Sequence, residues 1–155
     1  MEKLPVSVGI LSWKSWQTLV NTLQTYFQQE FLHQINDVCI LFQEVSEQDK
    51  QIAEHFGIPY IGMKENIGIG QAFIELTKQS KTDNVLVLEH DWKLIENKET
   101  CIERLKSGIE LLDNGFSAVR YRHRKDPGFP HFSFQYQGRE LDYYDKEIEC
   151  TSPHL

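Results

Sequence analysis

Asn84-Val85-Leu86-Val87-Leu88-Glu89-His90-Asp91-Trp92 is the stretch on which the reading of this chain turns. Four apolar residues, two of them β-branched, run without a break into two carboxylates that flank a histidine. A continuous apolar run of this length fits a strand covered on both faces, as in a parallel sheet packed between helices. An acidic triplet at the carboxyl end of such a strand lies where open α/β sheets form their crevice.

Outward from that strand, apolar runs alternate with helical periodicity. Val6–Leu11 reads as a first strand ending at Ser12-Trp13. Trp16, Leu19, Val20, Leu23, Tyr26 and Phe27 then share one helical face. Val38–Phe42 is a second strand of the buried type, and Ser46 with Asp49 three residues on has capping-box spacing. Ile52, Ala53 and Phe56 give the next helix its inner face, with Gly57 placed to end it. Pro59–Gly62 is a short strand, and Asn66-Ile67-Gly68-Ile69-Gly70 is a turn into a helix with Ala72, Phe73 and Leu76 inward. After the central stretch, Asn97 is placed to cap a helix with Ile102, Leu105, Ile109 and Leu112 on one face and Gly115 at its end. Ser117–Arg122 reads as a strand, Lys125–Pro130 as a loop and Phe132–Tyr136 as a strand or hairpin arm.

Strand–helix alternation of this kind means right-handed βαβ crossovers. The expected fold class is α/β, a three-layer sandwich around a mostly parallel, doubly wound sheet. The 155 residues are expected to form a single domain, with an α/β core over 4–122 and a short extension over 123–155.

Composition narrows the function classes. A net charge of -7 argues against a general nucleic-acid binder, whose affinity would come from neutralising phosphates. No apolar run is long enough to span a membrane, and Met-Glu-Lys-Leu-Pro leads into a strand without a signal-peptide pattern. Three widely spaced cysteines without a CxxC pair suggest neither a disulfide framework nor a zinc knuckle. A cytoplasmic location is the expectation that follows.

If the strand order reverses beside the first strand, Ser12, Trp13, Glu44, the Asn66–Gly70 turn and Glu89–Asp91 surround one cavity. Asp91 is then a candidate metal ligand, with Glu89 bound directly or through water. Oxygen donors suit Mg²⁺ or Mn²⁺, which keep several waters and share themselves with phosphate oxygens. The alternative for both carboxylates is that they are solvated residues where a strand emerges. Gly68-x-Gly70 lacks the third glycine of a dinucleotide fingerprint and the lysine of a P-loop, which disfavours both of those classes.

Pro5-Val6-Ser7-Val8-Gly9-Ile10-Leu11-Ser12-Trp13, then Asn66-Ile67-Gly68 with Ala72 following, then Leu88-Glu89-His90-Asp91 resemble the three landmarks of glycosyltransferase family 2 and its GT-A fold. The resemblance covers about residues 4–122. It implies a metal-dependent transferase, using Mn²⁺ or Mg²⁺, that moves a sugar from a nucleotide-diphosphate donor to an acceptor hydroxyl with inversion. It puts Ser12 and Trp13 beside the nucleoside and Asn66 and Gly68 near the donor. Glu44 stands where an acidic residue contacts base or ribose, although Gln43-Glu44 replaces the usual pair of aspartates. Asp91 matches the last acid of a DXD-type motif, Glu89 is a longer substitute for its first, and His90 occupies the variable middle with a packing or hydrogen-bonding role.

The family supplies a catalytic carboxylate from an acceptor half, and 64 residues follow Asp91 here. Asp142 or Asp145, flanking Tyr143-Tyr144, are the candidate general bases. Arg120, Arg122 and Arg124 recur at period two, so Arg122 is a candidate for the donor diphosphate, the alternative being a charged edge strand. The partners implied are a nucleotide-diphosphate sugar and a glycan, lipid or protein acceptor, with a homo-oligomer left open. The second functional class is a non-catalytic nucleotide-sugar-binding module or partner subunit with a reduced acceptor half. A sugar-nucleotide-forming nucleotidyltransferase is disfavoured, because no glycine-rich basic loop follows the first strand.

Overall fold

Seven successive residues, Val6–Ser12, are buried without interruption in the ten-residue strand β1 (Leu4–Trp13). Such burial requires neighbours on both edges and cover on both faces, and β1 has them. In this computed structural model, which describes residues 3–121 and the strands at 133–136, 139–142 and 149–150, the chain divides into two compact units, Met1–Lys98 and Glu99–Leu155.

The first unit continues from β1 through α1 (Trp16–Gln28), a short 3-10 turn (Phe31–Gln34) and β2 (Ile35–Gln43). It goes on through α2 (Glu47–Phe56), β3 (Tyr60–Gly62), α3 (Ile69–Lys78) and β4 (Asn84–Glu89). The strands form one sheet in the order β3-β2-β1-β4, with every pairing parallel. The chain steps from β1 to β2 to β3 in one direction and then crosses back to place β4 on the far side of β1. Right-handed crossovers therefore put α1 and α2 on one face and α3 on the other. Phe27 of α1 and Phe56 of α2 meet with ring centroids 5.4 Å apart. On the opposite face Leu11 and Leu41 pack against Ala72 and Leu76 of α3. The result is an α/β three-layer sandwich with a doubly wound parallel sheet.

Two local features follow the sequence closely. Ser46 and Asp49 form a complete capping box at the start of α2, and Gly57 ends that helix in the left-handed region. Gly9 lets α3 lie close to β1, because a Cβ there would stand 3.0 Å from the Cβ of Leu76.

Three expectations need correction. β4 is less covered than expected: all six of its residues are half-buried, and it stands at one end of the four-stranded sheet of described strands. Val85–Leu88 has the residue types of a central strand, but residue type does not count neighbours. Helix α4 (Lys98–Asp113) buries Cys101, Arg104, Leu105, Gly108 and Leu111, leaving Ile102, Ile109 and Leu112 half-buried. Tyr121 causes this rotation: its ring lies against Gly108 and its hydroxyl donates to the Arg104 carbonyl at 3.1 Å. Burial pushes the Tyr121 phenol up to about 12 against the lowering effect of Arg104, so it stays a donor.

The third correction concerns the strand expected at Ser117–Arg122. It is β5 (Val119–Arg120), which pairs antiparallel with β8 (Glu149–Cys150) in a ladder of its own. β6 (Ser133–Tyr136) and β7 (Arg139–Asp142) form a separate antiparallel pair. Among the described residues, parallel strand pairing thus ends with β4, and the strands after α4 pair antiparallel. The loop expected over Lys125–Pro130 lies outside the described residues. Among the described residues no helix is long and apolar enough to cross a membrane.

Candidate functional site

Because the chain leaves β1 toward α1 on one face and reaches β4 from α3 on the other, the carboxyl ends of β1 and β4 flank the switch point of the sheet. Glu89 pairs in register with Leu11. In a parallel ladder paired residues share a face, so Glu89 lies on the α3 side with Leu11. The next residue, His90, is half-buried and donates its backbone N–H to the Leu11 carbonyl at 2.9 Å. The chain then turns: Trp92 N–H donates to Glu89 O and Lys93 N–H to Asp91 O, each at 3.1 Å. Asp91 is exposed at the tip of this turn.

The neighbouring strand ends are clasped together. Trp13 Nε1–H donates to Glu44 Oε2 at 2.5 Å, and Lys14 Nζ meets Glu44 Oε1 at 3.0 Å. Lys14 also stands over the Trp13 ring, 5.5 Å from its centroid. The indole hydrogen bond first, and then the lysine, hold the Glu44 carboxyl below the usual carboxylate range. Lys14 and Glu44 both have positive φ, 48° and 49°. Non-glycine residues held there cost energy and gather at functional sites. Trp13 keeps 45% of its surface exposed, so its indole remains open to a planar ligand.

A third component comes from the turn before α3. Gly68 has φ 79° and ψ 162°, a conformation that suits glycine alone. Its N–H donates to the Asn66 side-chain oxygen at 2.8 Å. The buried Gln43, the last residue of β2, accepts the Ile67 N–H at 2.6 Å. The amino end of α3 therefore sits at the same edge of the sheet as the ends of β1 and β2. Unpaired N–H groups and the helix dipole favour anions there.

The structure thus brings Trp13, Glu44, Asn66, Gly68, Glu89, His90 and Asp91 to one edge of one sheet. Ser12 is at the same edge but 1% exposed, and its Oγ is buried with no hydrogen-bond partner. It alternates with Leu11 and so falls on the face of α1 and α2. Arg122 and Asp145 lie outside the described residues, and Asp142 closes β7 in the second unit. Gln43 and Lys14 were not legible as site residues. The one signal was a polar residue, Gln43, directly after the buried run Ile40-Leu41-Phe42.

The donor chemistry suits a hard cation. Glu89 and Asp91 offer oxygens, yet among the described residues no group of three or more His, Cys, Asp or Glu could hold a metal. Two carboxylates suffice for Mg²⁺ or Mn²⁺ only when phosphate and water complete the shell. These two side chains alone would therefore hold a cation only together with its anion.

The switch point of a doubly wound sheet is where open α/β proteins place their ligand sites. Comparison with solved structures makes the fold more specific. A mannosyltransferase from Pyrobaculum calidifontis, PcManGT, in complex with GDP-Man and Mn²⁺, is similar with a TM-score of 0.58 and 10% identity, covering 68% of this chain and 32% of that one. TarS 1–349 from S. aureus is similar with a TM-score of 0.59 and 22% identity, covering 84% and 38%. The chain has a GT-A-like fold, and spans about a third of the length of these two structures. No protein-family model and no curated protein matches its sequence.

Proposed function

We propose that this chain binds the donor of a metal-dependent glycosyltransferase of the family 2 type, which moves a sugar from a nucleotide diphosphate to an acceptor hydroxyl with inversion. One observation carries the proposal: Glu89 and Asp91 bracket the end of β4 directly beside the end of β1, at the switch point of a GT-A-like sheet. The similar PcManGT was solved with GDP-Man and Mn²⁺, which supports a nucleotide sugar and a divalent ion as ligands. Asp91 and Glu89 would hold Mn²⁺ or Mg²⁺, which when bound neutralises charge on a departing diphosphate. Trp13 offers the base a stacking face, and Glu44 anchors that indole. The Asn66–Gly68 turn presents the amino end of α3 to the phosphates. Asp142 or Asp145 would accept the proton of the attacking hydroxyl, and Arg122 would meet the diphosphate.

The test is a thermal melt with UDP, GDP, CDP and ADP, each with and without Mn²⁺. Because the described residues at this site offer the cation two carboxylates, nucleoside diphosphate and Mn²⁺ together are expected to stabilise where neither does alone. At 100 times Kd, linkage contributes about 2.7 kcal/mol, roughly 5–11 °C for a chain of this size. Asp91→Ala is expected to abolish the metal-dependent part. An undiminished shift in Asp91→Ala would remove Asp91 from the site. The small ligand set among the described residues also fits a second reading, a module that binds nucleotide sugar without turnover. Release of labelled sugar with Mn²⁺ present separates the two.

A further inference from the structure

The turn that carries Asp91 is fixed from two sides. Before Asp91, the His90 N–H is bonded to β1 through the Leu11 carbonyl at 2.9 Å. After it, two adjacent residues of α1 take hold of the chain. The Tyr26 hydroxyl donates to the Trp92 carbonyl at 2.6 Å. The Leu94 N–H donates to Thr25 Oγ1 at 3.0 Å, and that hydroxyl in turn donates to the Thr22 carbonyl at 2.7 Å. Asp91 is the single residue between an anchor on a strand and an anchor on a helix. Since its side chain is exposed, packing does not aim it; the backbone does.

We propose that Thr25 and Tyr26 are positioning residues that hold the Asp91 carboxylate in the orientation in which it receives a metal–diphosphate, an inference that rests on the function proposed above. The Tyr26 ring is explained by packing, because it is 2% exposed and meets Phe31 edge-on at 5.6 Å. Its hydroxyl is not, since a phenylalanine would fill the same space. The oxygen is used on the carbonyl that directly follows Asp91. Burial, and then the negative charge of Asp91, push the phenol far above its ordinary range, so Tyr26 is a constant donor and not a proton switch. Thr25 is used with equal economy: its proton goes to α1 and its lone pair to the turn. Outer groups that orient a metal ligand typically change metal affinity by roughly 10–100-fold when removed.

The experiment compares the wild-type chain with Tyr26→Phe, Thr25→Val and Thr25→Ser. Mn²⁺ is titrated into each protein in saturating nucleoside diphosphate, with free ion read from its six-line electron paramagnetic resonance signal. Urea melts without metal check the fold of each variant. Expected are Mn²⁺ affinities weakened roughly 10–100-fold in Tyr26→Phe and Thr25→Val, with cooperative unfolding retained and wild-type affinity restored in Thr25→Ser. Should one variant fail to fold, the other carries the measurement. Mn²⁺ affinities equal to wild type in folded Tyr26→Phe and Thr25→Val would overturn the positioning role while leaving the proposed function standing. A wild-type protein that takes up no Mn²⁺ with UDP, GDP, CDP or ADP would instead overturn the metal site, and this inference with it.

Discussion

The close approach of α3 to β1 at Gly9 offers a sharp test of the packing that supports the site. In Gly9→Ala, the new methyl would stand 3.0, 3.2 and 3.3 Å from three carbons of Leu76, all inside the ~3.5–4.0 Å optimum for carbon pairs. Leu76 of α3 is 2% exposed and packed in a cluster with Leu11, Leu41 and Ala72, so it cannot swing away. Overpacking of this sort costs about 1–3 kcal/mol. Against that, loss of the glycine's freedom in the unfolded chain returns about 0.4–1 kcal/mol. The net expectation for Gly9→Ala is a loss of roughly 1–2 kcal/mol, read as a lower urea midpoint at constant m. Leu76→Ala alone leaves a cavity and is expected to cost about 2–5 kcal/mol. In the double variant the two δ carbons are gone and the Cβ contact at 3.0 Å is the one left for α3 to relax, so Gly9→Ala should cost less than in the wild type or become neutral. The double-mutant cycle therefore predicts a favourable coupling of up to about 2 kcal/mol. Additivity within ~0.5 kcal/mol would refute the claim that Gly9 is kept small by Leu76. The point bears on function because α3 carries the Asn66–Gly68 turn at its amino end.

Two further predictions concern the loops of the same edge. Ser46→Ala removes the side chain that accepts the Asp49 N–H and is expected to cost about 0.5–2 kcal/mol in chemical denaturation, the usual range for a lost N-cap. Glu44 has a folded-state carboxyl held below its ordinary value by Trp13 and then Lys14. Its contribution is therefore present above the unfolded-state pKa near 4.5 and is lost as pH falls through the lower folded value. Glu44→Gln should narrow the stability difference between pH 7 and pH 3 relative to wild type, and Trp13 fluorescence should lose its acid transition. A variant whose stability profile and fluorescence follow those of the wild type at all pH values would show that the clasp does not form in solution.

What the sequence made legible, and what it did not, divides along the range of the interactions involved. Val6–Leu11, Val38–Phe42 and Val85–Leu88 were readable as strands because burial in a parallel sheet demands apolar residues without alternation. Ser46 with Asp49 was readable because a capping box closes within three residues. The switch point stood only as a condition in the sequence, because right-handed crossovers leave more than one strand order open, and the observed order β3-β2-β1-β4 meets that condition. The failures lie where a neighbour distant in sequence decides. Tyr121 turns the inner face of α4 away from Ile102 and Ile109. β4 stands at one end of the sheet of described strands although its residues suit an interior.

The same division runs through the candidate site. Trp13 and Glu44 are 31 residues apart, Gln43 and Ile67 24, and Tyr26 and Trp92 66. In each case a polar side chain at the end of a strand or helix reaches a partner that only the sheet order brings near. Tyr26 reads in isolation as one more residue of an amphipathic stripe, and Thr25 as its polar neighbour. Periodicity shows which face of a helix is covered, but not which carbonyl a buried hydroxyl will find. The geometry of the Asp91 turn thus depends on residues whose pattern says only that they are packed. Under the proposed function the acids that emerge from β4 would carry the chemistry, and α1, through two hydroxyls, would set where it occurs.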